Sequence, residues 1–123
     1  MNNKQFKNQF LELVEMEIGE LDVDAKLNLL KRYIFEIELS QEWDKCNSGT
    51  SWSDDQLRIV FSFPQSRENC LKLARAFNRG YGSIEQIYRW AVISDKEISE
   101  GHQADNKFIA NIKKIAKESN WRV

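Results

Sequence analysis

One stretch of this 123-residue chain, between residues 67 and 93, carries an excess of positively charged side chains. They are Arg67, Lys72, Arg75, Arg79 and Arg89. Five cations against Glu68 and Glu85 give this stretch a charge of +3, whereas the whole chain carries −1. Guanidinium and ammonium groups bind the phosphates of nucleic acids, and Arg can also read the edge of a guanine base. We therefore expect an anionic partner to bind this stretch.

The first 44 residues have the opposite character, with five Lys or Arg against ten Asp or Glu. The carboxylates that could approach one another are those of Glu12, Glu15, Glu36, Glu38 and Glu42. Carboxylates on facing helices can bind a metal ion, but such sites usually include a histidine three residues after a glutamate. Since this segment contains no histidine, we interpret it as a solvated acidic face.

Residue types typical of catalysis are scarce. His102 is the only histidine, and it lies in the polar segment EGHQAD, where a solvated surface side chain is expected. Cys46 and Cys70 lack the spacing of zinc ligands, and no Ser-His-Asp or Cys-His set can be assembled from the pattern. We expect a protein that is not an enzyme and has no metal or cofactor, with two unpaired thiols.

The distribution of helix-breaking residues favours long helices with short connections, because the chain has one proline and five glycines. We predict an all-α fold in one compact domain. Its parts are an N-terminal helical hairpin over residues 1–44, a trihelical helix-turn-helix unit over 52–93 and a C-terminal helical segment over 94–123. The polar residues of segment 44–52 mark the boundary after the hairpin.

Two helices are expected in the hairpin, one over residues 3–18 and one from Asp22 or Asp24 to about Trp43. The second has a seam in which Leu27, Leu30, Ile34 and Ile37 are spaced by three, four and three residues. Gly19 ends the first helix, and the short link makes the two helices antiparallel neighbours. The hairpin is either a packing scaffold or the surface of a homodimer through residues 6–37.

Three helices are expected in the central unit, at 53–62, 67–77 and 84–93. Their N-caps are Ser53, Ser66 and Ser83. Pro64 separates the first two, and the NRGYG turn before the third offers Gly80 and Gly82, which can adopt positive φ. The expected aromatic core is Trp52, Phe61, Phe77 and Trp90, and the core face of the third helix is Ile84, Ile87, Trp90 and Ala91.

The C-terminal segment is predicted to contain two helices. A short one runs from Ser94, its N-cap, to Gly101, and the last one covers about Asp105 to Ser119. The apolar stripe of the last helix is Phe108, Ile109, Ile112, Ile115 and Ala116. Its opposite side carries Lys107, Lys113, Lys114 and Lys117.

Helix 84–93 has the dimensions to enter the major groove of DNA with its N-terminal turn towards the base edges. The residues that we expect on its exposed side are Ser83, Glu85, Gln86, Tyr88 and Arg89. Gln can pair with adenine, Arg with guanine, and Glu can accept from cytosine. The predicted phosphate contacts are Arg67, Lys72, Arg75 and Arg79, with Tyr81 and the amides of the glycine turn in support.

The central unit resembles the Myb/SANT-like class of helix-turn-helix domains. The resemblance lies in Trp52 followed by Asp54, Asp55 and Leu57, then CLKLARAFNR, then SIEQIYRWA. It covers about forty residues; the middle of the family's three regularly spaced tryptophans is Leu or Phe here, and the turn has two glycines. The resemblance implies binding to DNA or to chromatin proteins, and the class includes members that bind protein only.

We predict a double-stranded DNA-binding protein, a small regulator of transcription, with helix 84–93 as its recognition helix. The alternative is a protein–protein interaction module, an adaptor or subunit, that uses the same helical surface or the N-terminal hairpin. The first residues, MNNKQFKNQF, are too polar for a signal peptide, and no apolar run is long enough to cross a bilayer. We expect no membrane partner and an intracellular, cytoplasmic protein, or a nuclear one if the source is eukaryotic.

Overall fold

The computed structural model of the chain describes residues 1–101 and 106–121. Over these residues the fold is all-α, as predicted, and no strand is present. The helices are α1 (Asn3–Glu15), α2 (Val23–Ser40), α3 (Asp54–Val60), α4 (Arg67–Ala76), α5 (Tyr81–Ala91), α6 (Asp95–Gly101) and α7 (Asn106–Glu118). His102 and the predicted start of the last helix at Asp105 lie outside the described residues. No helix of the described ranges is both long and apolar enough to span a membrane.

The chain divides into two compact units, Met1–Gln41 and Glu42–Val123, called here the N-terminal and C-terminal units. The C-terminal unit contains both the predicted helix-turn-helix and the segment after it. In the N-terminal unit, both helices are shorter than predicted. The second ends at Ser40 because the side chains of Ser40 and Gln41 donate to the carbonyl of Ile37, which competes with continuation of the helix.

The helices of the N-terminal unit begin at side-chain caps. Asn2 and Gln5 form a reciprocal capping box at α1, and Asp22 accepts a hydrogen bond from the backbone N–H of Ala25 at α2. Within this unit only Lys26 and Phe35 are buried. The Lys26 ammonium donates to the carbonyl of Val14 at 3.2 Å and so ties α2 to the end of α1.

The core of the C-terminal unit is built by α3, α4, α5 and α7. Helix α7 packs against both α3 and α5, and its Ile112 and Ile115 are fully buried. The core therefore includes a fourth helix, α7, which the prediction placed outside the trihelical unit. Of the predicted aromatic core, Phe61 is buried, whereas Trp52, Phe77 and Trp90 are partly buried around it.

Of the three serine caps predicted for the helix-turn-helix unit, two are present. Ser53 forms a capping box with Gln56 at the start of α3, and Ser66 accepts from the N–H of Asn69 at the start of α4. Helix α5 begins earlier than predicted, at Tyr81 with Gly80 as its N-cap. The predicted cap Ser83 is therefore a residue of the first turn of α5.

The chain reversal between α4 and α5 depends on Asn78, not on the two glycines. Asn78 has φ of 54°, its N–H donates to Arg75, and the N–H of Arg79 donates to Ala74. These bonds form a Schellman motif, in which a left-handed residue satisfies the last carbonyls of the helix. Gly80 has φ of −71° and so does not use the positive φ that glycine permits, because the reversal is complete before it.

Candidate functional site

Four of the predicted phosphate-binding and base-reading cations are exposed. Arg67, Lys72 and Arg75 lie on α4, and Arg89 lies on α5; the two helices pack against each other. The ion pairs of the described residues involve none of Arg67, Lys72 and Arg89. An anion that approached Arg67, Lys72 or Arg89 would therefore not have to break one of these ion pairs.

Arg79 is placed differently from the prediction, because only 3% of it is exposed. Its Nη1 donates to Thr50 O at 2.9 Å, and its Nη2 donates to Thr50 Oγ1 at 3.0 Å and to Ser51 O at 3.2 Å. The guanidinium lies 4.0 Å from the ring centroid of Trp52, and burial lowers its pKa. The prediction that Arg79 contacts phosphate from the outer surface is wrong, since the turn at Asn78 directs it into the loop before α3.

Tyr88 is the second correction, because it is fully buried rather than exposed on α5. Its hydroxyl donates to Val60 O at 2.7 Å and lies 3.2 Å from Phe63 O, and its ring stacks on Trp121 with centroids 5.4 Å apart. Burial raises the pKa of this phenol. The sequence held a signal for this position: Tyr88 follows Ile84 by four residues and therefore lies on the same helix face.

The remaining predicted residues of α5 lie near its N-terminal half or on its outward side. Tyr81, Ser83, Glu85 and Gln86 are partly exposed, and Arg89 Nη1 donates to Gln86 Oε1 at 3.1 Å. Burial, with a contribution from Glu85, raises the pKa of Tyr81. These side chains form a mixed polar strip rather than a uniformly positive one.

A groove of about 370 Å³ beside this strip contains an acidic residue. It is lined by Gln86 and Arg89 of α5 and by Glu97 of α6. Ser94 caps helix α6, as predicted, because its hydroxyl accepts from the N–H of Glu97 at 3.1 Å. A duplex that approaches the C-terminal half of α5 would therefore also meet a carboxylate, which weakens binding of a polyanion there.

Trp43 organises a group of cations that the sequence pattern did not indicate. The ammonium of Lys45 lies 4.4 Å and the guanidinium of Arg75 lies 5.5 Å from the centroid of its ring, which is within cation–π range. Trp43 Nε1 donates to Arg79 O at 2.8 Å. The expectation that Trp43 ends the second helix hid this role, and no local signal in the sequence predicts it.

The hairpin contributes a different kind of surface. On α2, Val23, Leu27, Leu30, Ile34 and Ile37 recur at four, three, four and three residues; we call them the α2 seam. The exposed fractions are 63% for Val23, 41% for Leu27, 50% for Ile34 and 61% for Ile37, and Leu30 is partly buried. A seam of this spacing is normally covered by another helix, so this surface can bind an apolar face of a second chain.

The neighbouring helix extends the apolar surface of the hairpin. Phe6 is 66% exposed and Leu13 is 57% exposed on α1, seven residues apart and hence on the same side of the helix. Single exposed apolar residues are common on protein surfaces, but several large ones on both helices of one hairpin are typical of an interaction site.

Metal and thiol chemistry have no support in the parts of the chain that are described. No group of three or more His, Cys, Asp or Glu that could hold a metal occurs there. Cys46 is an exposed free thiol and Cys70 a buried one. Burial raises the pKa of Cys70 to about 11, so this thiol is protonated and unreactive at neutral pH.

Comparison with known proteins finds similarity across the whole chain. Residues 46–123 match the family described as the uncharacterised protein PM1205 C-terminal domain. The uncharacterized protein PM1205 of Pasteurella multocida (strain Pm70) is 37% identical over 125 residues, which cover 99% of each chain. No solved structure matches the chain. The family match spans most of the C-terminal unit, and the relative also covers the hairpin.

Proposed function

The chain belongs to the family of the PM1205 C-terminal domain, and we propose that it is a protein-interaction subunit that pairs with a second copy of itself through the N-terminal hairpin. The observation that carries the proposal is the exposed α2 seam. Four of its five residues are at least 41% exposed, although their spacing is that of a helix–helix contact.

The gain from covering this surface is large on the scale of protein association. Full burial of a Val, Leu or Ile side chain contributes about 1.5–3 kcal/mol. Since the seam residues are about half exposed, covering them in two copies contributes on the order of 10 kcal/mol before the cost of association. This gain is comparable to the entropic cost of bringing two chains together, and the exposed Phe6 and Leu13 of α1 add to it.

Sedimentation of the whole chain from about 1 to about 200 μM tests the proposal, because the dimer fraction must rise with concentration. We expect a dimer at the upper end of this range. Leu27→Glu and Ile34→Glu should each shift the chain to monomer without loss of helical content, since a carboxylate in the seam must be desolvated on pairing. Arg32→Glu, at an exposed position of α2 outside the seam, is the control. A wild-type chain that is monomeric throughout would contradict the proposal.

A second candidate function, double-stranded DNA binding in transcription regulation, is favoured by the exposed cations of α4 and α5. Helix α5 would be the recognition helix, with Glu85, Gln86 and Arg89 towards the bases and Ser83 and Tyr81 near its N-terminus. Arg67, Lys72 and Arg75 would contact phosphates, and Arg79 and Tyr88 are excluded by their burial. The two candidates are compatible because they use different units.

DNA affinity measured at several salt concentrations tests this second function. Lys72→Ala and Arg67→Ala should weaken binding to all sequences and each reduce the salt slope by about 1, whereas Arg89→Ala should relax base preference by about 1–3 kcal/mol. Arg58→Ala, which removes an exposed arginine of α3 paired with Asp55 at 2.7 Å, is the matched control. If Lys72→Ala and Arg67→Ala bind random duplex as the parent does, these cations are not phosphate contacts, and a parent that does not bind duplex at low salt would contradict DNA binding altogether.

An intracellular, cytoplasmic location completes the proposal. It is supported by the two cysteines, which are free thiols, as is usual in a reducing compartment. Fractionation of cells that produce the chain measures it, and recovery outside the cell would contradict it.

A further inference from the structure

The two edges of the α2 seam differ in the charged side chains that they present. On one edge, Lys26 is buried, and its ammonium donates to Val14 O of α1. On the other edge, Asp24, Lys31 and Glu38 are exposed and follow each other at seven-residue intervals. Each lies one residue after a seam residue, which is the position from which charged side chains select a partner helix in coiled coils. A second helix on the seam must therefore meet this acid–base–acid edge.

Three arrangements of two α2 helices place like charges together or lose apolar contacts. Parallel helices in register bring Lys26 towards Lys31 of the second copy. Antiparallel helices with Leu30 opposite Ile34 bring Lys31 next to Lys31 of the second copy. Antiparallel helices with Ile34 opposite Ile37 leave Val23 and Leu27 without apolar partners.

One antiparallel arrangement gives four of the five seam residues, all but Ile37, an apolar partner, and it brings Asp24 and Lys31 of the charged edge together between the two copies. When Leu27 lies opposite Leu30 of the second copy, Val23 lies opposite Ile34, and the two-fold axis generates the same contacts again. In that register, Asp24 of each copy comes within a helical turn of Lys31 of the other, so two opposite-charge pairs form. Neither side chain takes part in an ion pair of the described residues.

We infer that two copies of this chain associate through antiparallel α2 helices, with Leu27 of each copy against Leu30 of the other and Asp24 of each copy paired with Lys31 of the other. This inference rests on the proposed self-association and adds its orientation and register. A two-fold axis makes every contact reciprocal, so one Asp24 and one Lys31 per chain supply both opposite-charge pairs of a dimer.

Charge-reversal variants of the whole chain test the register. Asp24→Lys and Lys31→Asp each replace two attractive pairs per dimer by two repulsive ones, and each should raise the dimer dissociation constant by about tenfold at low salt. The double variant carrying both changes should return to within about threefold of the parent, because the pairs re-form with exchanged signs. Arg32→Asp is the matched control for Lys31→Asp, since consecutive helical residues point about 100° apart.

A mixture provides the sharpest readout. The Asp24→Lys chain has two lysines at these positions and the Lys31→Asp chain has two aspartates, so equal amounts of the two should form a mixed dimer about as tightly as the parent. If the parent dimerises but the single variants match it, or the mixture does not recover, the register is wrong while self-association stands. A parent that stays monomeric overturns both. Circular dichroism of each variant checks that α2 is still helical.

Discussion

Arg79 and Tyr88 lie in a basic and polar part of the sequence, yet both serve the interior of the C-terminal unit. The guanidinium of Arg79 donates to Thr50 and Ser51 and stacks on Trp52. Most of its N–H groups therefore have acceptors although no carboxylate in the described ranges pairs with it. Its Nε has no acceptor among the described residues. Tyr88 joins α5 to the end of α3 through its hydroxyl. Both side chains therefore contribute to stability, and neither is available to a ligand.

Replacement of Tyr88 by Phe tests this structural role at the residue scale. The change keeps the ring stacked on Trp121 but removes the 2.7 Å hydrogen bond to Val60 O, and this carbonyl keeps only the longer bond, at 3.3 Å, from the N–H of Phe63. We expect the free energy of unfolding to fall by about 1–2 kcal/mol, measured by urea denaturation. Tyr33→Phe, at an exposed tyrosine of α2, should have little effect. Equal effects of the two changes would contradict the buried role of Tyr88.

Alkaline pH should destabilise the fold through Cys70. Burial raises the pKa of this thiol to about 11 from its ordinary 9.0, so between these values the unfolded chain binds fewer protons than the folded one. The free energy of unfolding should therefore fall as pH rises from about 9 to about 11, by about 1 kcal/mol per pH unit.

Urea denaturation at about pH 7, 9 and 10 measures this decline. Cys70→Ala should make the decline shallower, because the thiol no longer titrates. Cys46→Ala, at the exposed cysteine, should leave the slope unchanged. A stability that is constant across this range would show that burial does not perturb the thiol.

At the level of the helices, α4 and α7 are each terminated by an asparagine. Asn78 after α4 and Asn120 after α7 have φ of 54° and 55°, and both helices end in the same pair of hydrogen bonds. After α7, these bonds run from Asn120 N to Lys117 O and from Trp121 N to Ala116 O. After glycine, asparagine is the residue that most often adopts the left-handed region at the end of a helix.

Substitution of the exposed Asn120 separates the backbone effect from packing. Asn120→Gly should leave the free energy of unfolding unchanged or raise it slightly, because glycine adopts positive φ without steric cost. Asn120→Ala should lower it by about 1 kcal/mol. Thermal denaturation of both variants measures the difference, and Asn8→Ala, at an exposed helical position of α1, is the control. If Asn120→Ala were as stable as Asn120→Gly, the left-handed conformation of residue 120 would be contradicted.

The two units of the molecule differ in how much of their apolar surface is buried. The C-terminal unit buries Leu57, Ile84 and Ile112 completely in a core of its own. The N-terminal unit exposes most of its large apolar side chains. We therefore expect the C-terminal unit to fold first. We expect the hairpin to gain stability from a partner.

Separation of the units tests this view. A fragment of residues 42–123 should be helical and monomeric and should unfold cooperatively, because its core is complete. A fragment of residues 46–123 lacks Trp43 and its hydrogen bond to Arg79 O, and we expect it to be less stable by about 1–2 kcal/mol. Circular dichroism with urea and sedimentation measure both. A 42–123 fragment without a cooperative transition would show that this unit does not fold independently.

The sequence alone determined the features that depend on neighbouring residues: the all-α class, the caps Ser53 and Ser66, the α2 seam and the cations of α4. Each follows from contacts within about one helical turn, which the order of residues fixes directly. The tertiary structure alone decided the inward direction of Arg79, the association of Trp43 with Lys45 and Arg75, and the place of α7 in the core. These features depend on where the chain points after Asn78 and on which helices cover one another, and both result from packing between residues distant in sequence.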